Sequence, residues 1–260
     1  MKPDYKNWMP KGMIHAFLAA FLGCAAALLV FSLTLAAGPL KTVLTVVLAV
    51  LTLVFCALTV WSILMYRAFD YNGKRRMAKQ IIEGTAAYVN LPDGGKCLDV
   101  GCGSGALSIA VAKRNPGAEV IGIDRWGKEY ASFSKTLCEN NAKAEGVTHV
   151  CFSRGDAVKL EFPDETFDAV CSNYVYHNIP GNRQAYLLET LRTLKKGGTF
   201  AIHDIMSRSK YGDMQAFVRK LREMGFEKVE LLDTTNGMFM KKSEALWMAL
   251  SGSAILTGIK

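Results

Sequence analysis

The sequence lacks the patterns that mark several common kinds of protein. Its seven cysteines form no Cys-x-x-Cys pair, and several lie in predicted strands or helices, so they are expected to be reduced core residues. No His/Cys spacing typical of a metal site occurs, and no metal is predicted. The GxxxxGK[ST] loop of many ATPases is missing, which argues against an ATPase. Repeats and low-complexity tracts are absent as well.

Charged residues are almost absent from the first quarter of the chain. Residues 1–66 contain four Lys and Arg and one Asp, whereas residues 67–260 contain 27 Lys and Arg and 22 Asp and Glu. The polar part is therefore only mildly basic, which is weak evidence for nucleic-acid binding. No nucleic-acid partner is predicted.

Two long runs in the first quarter contain no Asp, Glu, Lys or Arg. They extend from Gly12 to Ala37 and from Thr42 to Tyr66. Each run exceeds the roughly 20 apolar residues that are needed to cross a hydrocarbon core. The sequence therefore predicts a transmembrane helical hairpin at residues 1–70, with spans at about 12–37 and 42–66, followed by a polar domain at residues 71–260.

A cleaved signal peptide is the alternative interpretation of the first run, because the small residues Ala36-Ala37-Gly38 resemble a cleavage site. The apolar region is too long for a signal peptide, however, and a second span follows at once. Small residues at Ala19, Gly23 and Ala27 would allow close helix packing. That packing would serve either oligomerisation through the spans or the hairpin itself.

Basic residues cluster directly after the second run. They are Arg67, Lys74, Arg75, Arg76 and Lys79, whereas the turn between the runs has only Lys41. The positive-inside rule then predicts that both termini and the polar domain are cytoplasmic. The cluster is expected to face anionic lipid headgroups, although a solvated helix face would show the same pattern.

Strand and helix patterns alternate through the polar domain. Strands are predicted at 96–100, 119–124, 149–154, 167–172, 199–204, 229–232 and 254–259, and helices at 74–89, 106–114, 128–145, 183–194 and 211–224, with a short helix before the last strand. Such alternation indicates an α/β fold in which helices cover both faces of a parallel sheet.

The segment LDVGCGSG at residues 98–105 joins a buried strand to a helix through a glycine-rich turn. Glycine allows a sharp turn and lets a ligand approach the main-chain N–H groups closely. Gly101, Gly103 and Ala106 match the loose dinucleotide pattern GxGxxA, which by itself is a weak signal. Asp99 lies inside the preceding strand. A negative charge there would not favour a pyrophosphate, but it would favour a cationic sulfonium ligand with an amino-acid tail.

The chain resembles the class I S-adenosylmethionine-dependent methyltransferases in several motifs that occur in the family's order. They are LDVGCGSG, VIGID, GDAVKLEFPDETFDAV and LKKGGTFAIHD, and the resemblance extends from Lys74 to about Leu232. It implies a Rossmann-like methyltransferase domain whose last strand is antiparallel, with S-adenosylmethionine as cofactor and S-adenosylhomocysteine as product. The hairpin is not part of the family's common core.

The resemblance also implies a set of cofactor-binding residues. The backbone at Gly101, Cys102, Gly103 and Gly105 would lie along the methionine part of the cofactor, with Asp99 near its amino group. The second strand ends in Asp124, whose carboxylate can accept two hydrogen bonds from a ribose diol.

Further positions match the family's adenine and methyl regions. Arg125 and Trp126 would lie beside the adenine, and Asp156 would accept a hydrogen bond from the adenine amino group, with Ala157 alongside. A turn-capping carboxylate is the alternative role for Asp156. Ser172 to Tyr174, at the end of the fourth strand, are expected beside the transferable methyl group, with Asn173 among the cofactor-binding residues.

The stretch after the fourth strand indicates the kind of acceptor. It lacks the Asn/Asp-Pro-Pro-aromatic signature of enzymes that methylate amide or exocyclic amino nitrogens, and the chain has no Pro-Cys pair of the cytosine-C5 enzymes. What remains resembles small-molecule methyltransferases, including quinone and lipid enzymes. The acceptor molecule and the methylated atom stay open.

A base is needed only where the acceptor must lose a proton, and His177 is the best candidate. A structural hydrogen bond is the alternative role for this histidine. Tyr174 is the second candidate catalytic residue, and alternation along the strand would bury either Tyr174 or Tyr176. His203 and Asp204 end the fifth strand at the same predicted sheet edge.

The hairpin suggests a lipophilic acceptor that reaches the site from the bilayer. Met238, Phe239, Met240 and Trp247 would then form an apolar lip, or they would pack as core. Two other functions stay open: a cofactor-binding scaffold or sensor without turnover, and a nicotinamide-dependent reductase suggested by the GxGxxA overlap.

Overall fold

The computed structural model describes residues 2–127 and 131–260. The chain divides into two compact units. One is Asn7–Ala78, and the other is Lys79–Lys260 together with the N-terminal residues up to Lys6. The N-terminal arm thus belongs to the unit that contains the α/β sheet.

The first unit is a pair of helices, α1 (Lys11–Thr34) and α2 (Pro39–Phe69). Both are long and apolar enough to cross a membrane, and almost none of their apolar length is buried inside the protein. α1 ends three residues before the predicted Ala37. α2 starts earlier than predicted because proline is well tolerated at the first turn of a helix.

A short segment before α1 packs on the C-terminal end of α2. The side-chain amide of Asn7 donates a 2.8 Å hydrogen bond to the carbonyl oxygen of Tyr66. The rings of Trp8 and Phe69 lie 5.4 Å apart. Because the N–H of Asp70 also donates to this oxygen at 3.1 Å, the carbonyl of Tyr66 accepts two hydrogen bonds at the end of α2.

The second unit is built on a seven-stranded sheet in the order β3-β2-β1-β4-β5-β7-β6. Its strands are β1 (Lys96–Val100), β2 (Glu119–Asp124), β3 (Val150–Arg154), β4 (Phe167–Asn173), β5 (Leu194–Ile205), β6 (Glu227–Asp233) and β7 (Ser253–Ile259). β1 to β5 pair in parallel, and β7 is antiparallel to both β5 and β6. The predicted fold class is therefore confirmed.

The helices of this unit are shorter than predicted at several ends. They are α3 (Met77–Ala86), α4 (Ala106–Arg114), α5 (Lys135–Ala144), α6 (Arg183–Arg192), α7 (Arg208–Tyr211), α8 (Met214–Glu223) and α9 (Lys242–Trp247). The start of the helix predicted at 128–145 lies partly outside the described residues, which omit 128–130. α5 begins only after Ser134, whose hydroxyl accepts a 3.1 Å hydrogen bond from the N–H of Leu137.

The helix predicted at 211–224 is present as α8, which starts three residues later than predicted. Gly212 has φ +73°, which ends α7. Asp213 then caps α8, since its carboxylate accepts a 2.9 Å hydrogen bond from the N–H of Ala216. Aspartate is a favoured N-cap residue, so the local sequence specifies the break.

Helices cover both faces of the sheet, and strand β1 shows this directly. Leu98 and Val100 point to one face and join the buried cluster that includes Leu187 of α6 and Phe217 of α8. Asp99, between them, points to the opposite face and contacts α4. The C-terminal ends of β1, β2, β4 and β5 lie at the same edge, where ligands bind in open α/β sheets.

Candidate active site

The glycine turn after β1 requires glycine at two positions for a steric reason. Gly101, Gly103 and Gly105 all have positive φ, at +75°, +57° and +80°. A Cβ added to Gly101 would lie 2.3 Å from a methyl carbon of Val175, and one added to Gly105 would lie 3.0 Å from the ring of Phe152. Because Val175 follows β4, the first contact places the glycine turn against the loop at the end of β4.

Three main-chain N–H groups of the turn donate hydrogen bonds to protein oxygens rather than pointing towards a phosphate site. Those of Gly101 and Cys102 donate to the carbonyl oxygen of Ile123 at 2.8 and 2.9 Å. The N–H of Gly103 donates to Oδ2 of Asp124 at 2.9 Å. A pyrophosphate cradle needs such groups directed at the ligand, so this turn does not favour the reductase alternative. The expected close approach of a ligand to the backbone of the turn stays a prediction.

Asp124 and Trp126 are both attached to the glycine turn. Oδ1 of Asp124 accepts a 2.7 Å hydrogen bond from the N–H of Trp126, whose φ is +42°. The indole N–H of Trp126 in turn donates to the carbonyl oxygen of Gly103 at 3.0 Å. Each carboxylate oxygen of Asp124 keeps a further lone pair, so the half-buried group fits the predicted ribose hydroxyls. Arg125, between them, is exposed.

Asp99 is buried and holds an unsatisfied acceptor. Ser108 of α4 donates a 2.5 Å hydrogen bond to its Oδ2. Within the described part of the chain its buried Oδ1 has no hydrogen-bond partner. Burial raises the pKa of this carboxyl to about 7, against the opposing effect of the Ser108 bond. A buried acceptor without a donor fits an ammonium group such as the amino group of S-adenosylmethionine.

Cys102 contributes its backbone rather than a reactive thiol. Its side chain is buried, and burial raises the pKa of the thiol well above the ordinary value, with Cys138 as the next cause. The thiol of Cys138 lies 3.2 Å from the carbonyl oxygen of Gly103. Both cysteines therefore pack beneath the turn, as predicted, whereas the prediction of a core position is wrong for Cys151, which is exposed.

Asp156 caps a turn, as the alternative interpretation predicted. Its exposed carboxylate accepts a 2.9 Å hydrogen bond from the N–H of Val158. The N–H of Gly155 donates to the carbonyl oxygen of Asp124 at 3.1 Å, which places this turn beside the end of β2. One carboxylate oxygen stays available, so the predicted adenine contact is compatible with the cap. Ala157 is half-buried next to it.

At the end of β4, Asn173 contacts a buried histidine. Oδ1 of Asn173 lies 2.8 Å from Nδ1 of His203, whose Nε2 lies 3.0 Å from the hydroxyl of Thr234. Burial lowers the pKa of His203 to about 3, so its ring is neutral at neutral pH. His203 therefore does not act as the base of an open site, although it orients Asn173.

The two tyrosines after β4 have different environments. Tyr176 is fully buried, and its hydroxyl lies 2.6 Å from that of Thr190. Tyr174 has φ +55°, and its hydroxyl lies 2.8 Å from that of Ser253. Burial raises the pKa of both phenols, which stay protonated. The prediction that one of the two tyrosines is core holds for Tyr176, and Tyr174 is suited to packing rather than to proton transfer.

His177 and Asp204 form a hydrogen-bonded pair at the same sheet edge. Nδ1 of His177 lies 2.5 Å from Oδ1 of Asp204. Asp204 is fully buried and also accepts hydrogen bonds from the hydroxyl of Tyr211 at 2.8 Å and the N–H of Ile205 at 2.6 Å. Burial raises the pKa of Asp204. The hydrogen bond from His177, followed by those from Tyr211 and Ile205, outweighs burial and holds the pKa below its usual range.

The pair determines where the histidine proton resides. Because Asp204 is ionised, it only accepts hydrogen bonds, so Nδ1 of His177 carries the proton. In the neutral form of the ring the lone pair then lies on Nε2, on a side chain that is 13% exposed. The arrangement fixes the orientation of the His177 ring, two residues after the Val175 that lies against Gly101.

The segment rich in methionine and aromatic residues is divided between core and surface. Phe239 and Met240 are buried, and the ring of Phe239 lies 5.3 Å from that of His203. Met238 and Trp247 are exposed. Phe239 and Met240 therefore pack as core, as one of the two predictions stated, and do not form an open lip.

Residues 91–250 match the family model described as a methyltransferase domain. The chain belongs to this methyltransferase family. The predicted family is therefore confirmed, and with it the cofactor S-adenosylmethionine. The positions of the individual cofactor contacts stay predictions.

Curated relatives cover part of the methyltransferase domain. A demethylmenaquinone methyltransferase of Anoxybacillus flavithermus is 36% identical over 118 residues, which are 44% of this chain and 46% of that protein. A sterol 24-C-methyltransferase of Aspergillus fumigatus is 32% identical over 162 residues, which are 62% of this chain and 40% of that protein. The chain thus spans less than half the length of these relatives.

Solved structures share the fold of the methyltransferase domain. A geranyl diphosphate methyltransferase in complex with GPP and sinefungin has a TM-score of 0.56 at 14% identity, over 75% of this chain and 82% of that one. The [4+2]-cyclase SpnF has a TM-score of 0.54 at 22% identity, over 74% and 85%. Because the second is described as a cyclase, the fold by itself does not determine the reaction.

Proposed function

We propose that this protein is an integral-membrane S-adenosylmethionine-dependent methyltransferase that methylates a small, lipophilic acceptor. The observation that carries the proposal is the His177–Asp204 pair, which lies at the sheet edge that also holds the glycine turn and Asp124. This edge therefore combines an oriented base with residues suited to the cofactor.

The chemistry divides simply between cofactor and protein. The bound cofactor supplies an activated methyl group, so the protein has to align the acceptor and exclude water. Nε2 of His177 removes a proton from the acceptor, and Asp204 keeps the Nδ1 proton in place and stabilises the resulting positive charge. Tyr174 packs beside this histidine, with ring centroids 5.8 Å apart.

The cofactor contacts are proposed at the predicted positions. Their geometry supports them in two places: the unsatisfied oxygen of Asp99 suits the cofactor's amino group, and the clamped carboxylate of Asp124 suits its ribose. The remaining proposed positions are Gly101, Cys102, Gly103, Gly105, Arg125, Trp126, Asp156, Ala157 and Asn173.

The lipophilic acceptor and the membrane location support each other. Two relatives are named for demethylmenaquinone and a sterol, both apolar molecules. The chain has two helices with the length and composition of membrane spans. We place residues 1–70 in and at the membrane, residues 71–260 in the cytoplasm, and both termini on the cytoplasmic side.

Transfer of a radiolabelled methyl group tests the proposal. Full-length protein in lipid nanodiscs is incubated with S-adenosylmethionine and a panel of quinols, sterols and water-soluble phenols. We expect transfer to a lipophilic acceptor, strongly reduced in His177→Asn. His149→Asn is the matched control, because this half-buried histidine contacts the carbonyl oxygen of Ala112, outside the proposed site.

Calorimetric titration separates the alternatives. Binding of S-adenosylhomocysteine that weakens in Asp124→Ala, but without methyl transfer to any acceptor, would indicate a scaffold or sensor. Binding of NADH without binding of S-adenosylhomocysteine would contradict the proposal altogether.

A further inference from the structure

Exposed apolar side chains concentrate in one short stretch of the methyltransferase domain. Within the described part of the chain and outside α1 and α2, the exposed large apolar residues include Met238, Leu246 and Trp247, at 39%, 75% and 39% exposure. The others, Val158 and Met224, are far apart in the sequence. Three exposed apolar side chains thus fall within ten residues.

The stretch is firmly attached to the domain through its inner side. Phe239, Met240, Ala245 and Met248 are buried. The N–H of Leu250 donates to the carbonyl oxygen of Ala245 at 2.8 Å, which closes the end of α9. The stretch is therefore held in place by a packed inner face, while Met238, Leu246 and Trp247 keep part of their apolar surface exposed.

Basic residues accompany these apolar side chains. Lys241 and Lys242 are exposed, and Lys242 lies one helical turn before Leu246, on the same face of α9. The carboxylate of Glu244 accepts a 2.9 Å hydrogen bond from the N–H of Lys241 and so caps the helix. Met238, Lys241, Lys242, Leu246 and Trp247 together are called the α9 surface.

We propose that the α9 surface is a membrane-contact site, which inserts its apolar side chains at the bilayer interface and directs its lysines to anionic headgroups. The inference rests on the membrane location in the proposed function, but not on methyl transfer. Tryptophan is favoured at membrane interfaces, and lysine stems extend along apolar surface while the ammonium stays in water.

The size of the surface favours a bilayer over a protein partner. A stable protein interface buries about 1,000 Å² or more, whereas three side chains offer much less. A domain connected to membrane spans is already concentrated near the bilayer, so even a weak contact is populated. The contact would also hold at the bilayer the same short segment whose Phe239 packs on His203, behind Asn173.

Quenching of tryptophan fluorescence by lipids with brominated acyl chains tests the proposal. Full-length protein is placed in nanodiscs that contain such lipids, and the contribution of Trp247 is the difference between wild type and Trp247→Phe. We expect most of this contribution to be quenched. Trp126→Phe is the matched control, and the emission of Trp126, whose indole N–H bonds to the glycine turn, should not be quenched.

A second comparison examines the lysines. In the double variant Lys241→Gln/Lys242→Gln, quenching of Trp247 should no longer increase when anionic lipid replaces zwitterionic lipid.

Absence of Trp247 quenching in protein that resists carbonate extraction would overturn the proposal while leaving the membrane spans intact. Extraction by carbonate would instead overturn the membrane location together with this inference. A concentration-dependent shift of Trp247 emission in detergent would show contact with a second copy and would also overturn the proposal.

Discussion

His177 and Asp204 are 27 residues apart in the sequence, yet Nδ1 of one lies 2.5 Å from Oδ1 of the other. The histidine comes from the loop after β4 and the carboxylate from the end of β5, two strands that pair in parallel. Such a pair leaves Nε2, the opposite ring nitrogen, for the proposed role of base. In the proposed reaction His177 contacts the acceptor, and Asp204 acts only by orienting His177.

The first prediction concerns this pair. Replacing His177 by Asn should lower kcat by about 10²- to 10⁴-fold, the usual contribution of a positioned base. Asp204→Asn should also lower kcat, because a neutral amide no longer favours the Nδ1–H tautomer. The measurement is steady-state methyl transfer, with S-adenosylhomocysteine affinity as a control that both variants should leave unchanged. Unchanged kcat in His177→Asn would show a structural histidine instead.

The second prediction concerns the pH dependence of stability at Asp99. Its folded-state pKa of about 7 exceeds the ordinary value near 3.8, so the proton is bound more tightly in the folded state. The stability of the cofactor-free protein should therefore decline as pH rises from about 4 to 7 and level off above, by at most about 4 kcal/mol.

The neutral variant Asp99→Asn provides the comparison. The melting temperature of this variant in detergent should rise relative to that of the wild type as the pH increases from about 4 to 7. Added S-adenosylhomocysteine should reduce the gap at pH 7 and above, because an ammonium group near the ionised carboxylate stabilises it. Parallel melting profiles for the two proteins would contradict the assignment of the raised pKa.

The third prediction concerns Gly101. Gly101→Ala should reduce both stability and cofactor affinity, because the new Cβ would lie 2.3 Å from Val175 at φ +75°. Gly197→Ala is a matched control: its φ is +76° with no atom within 4 Å of the added Cβ, so it reports the cost of the backbone conformation alone, about 1–2 kcal/mol.

A double variant separates the steric clash from the backbone effect. Val175→Ala combined with Gly101→Ala should recover part of the lost thermal stability, because the clashing methyl groups are gone. Equal losses in Gly101→Ala and Gly197→Ala would show that the contact with Val175 does not matter.

The fourth prediction concerns Asn141, which joins the N-terminal arm to the glycine turn. Its Oδ1 accepts from the N–H of Asp4 at 2.7 Å, and its Nδ2 donates to the carbonyl oxygens of Asp4 and Ser104 at 3.0 and 2.9 Å. Asn141→Ala should destabilise the domain by about 1–3 kcal/mol, since the carbonyl oxygen of the buried Ser104 loses its bond together with the backbone of the exposed Asp4. It should also weaken S-adenosylhomocysteine binding several-fold by loosening the turn.

Tyr5→Phe distinguishes the arm from the turn. This variant removes the 3.1 Å hydrogen bond from the Tyr5 hydroxyl to Glu145 and keeps the bonds of Asn141, so it should leave calorimetric cofactor affinity nearly unchanged. An equal loss of affinity in both variants would mean that the arm itself, rather than the bond to Ser104, supports the site.

Local signals predicted much of the fold because they act over a few residues. β1, the glycine turn and α4 were placed at their observed bounds, and so was β2. The local signals were weakest where the end of a helix depends on a capping residue, or where the end of a strand depends on pairing with a strand distant in sequence. β5 begins at Leu194, five residues earlier than predicted, because its first residue pairs with Phe167 of β4.

In the candidate site, too, local sequence predicted some features and distant contacts decided the others. The types of its residues follow from motifs, and the alternation of the strand predicted that either Tyr174 or Tyr176 is core. Their roles depend on partners far away in the sequence: Asp204 for His177, Thr234 for His203, and Ser253 for Tyr174. His203 and Asp204 are neighbours in sequence, yet His203 is a neutral core residue and Asp204 is an ionised partner of His177.

The sequence by itself thus determined the two apolar spans, the alternating α/β pattern and the glycine turn, since each depends on local hydrophobicity and backbone freedom. The tertiary structure alone decided that Asp204 supports His177, that Phe239 and Met240 are core, and that Leu246 and Trp247 remain on the surface. Hydrogen bonding and burial depend on which distant segments meet, and pairing between strands brings those segments together.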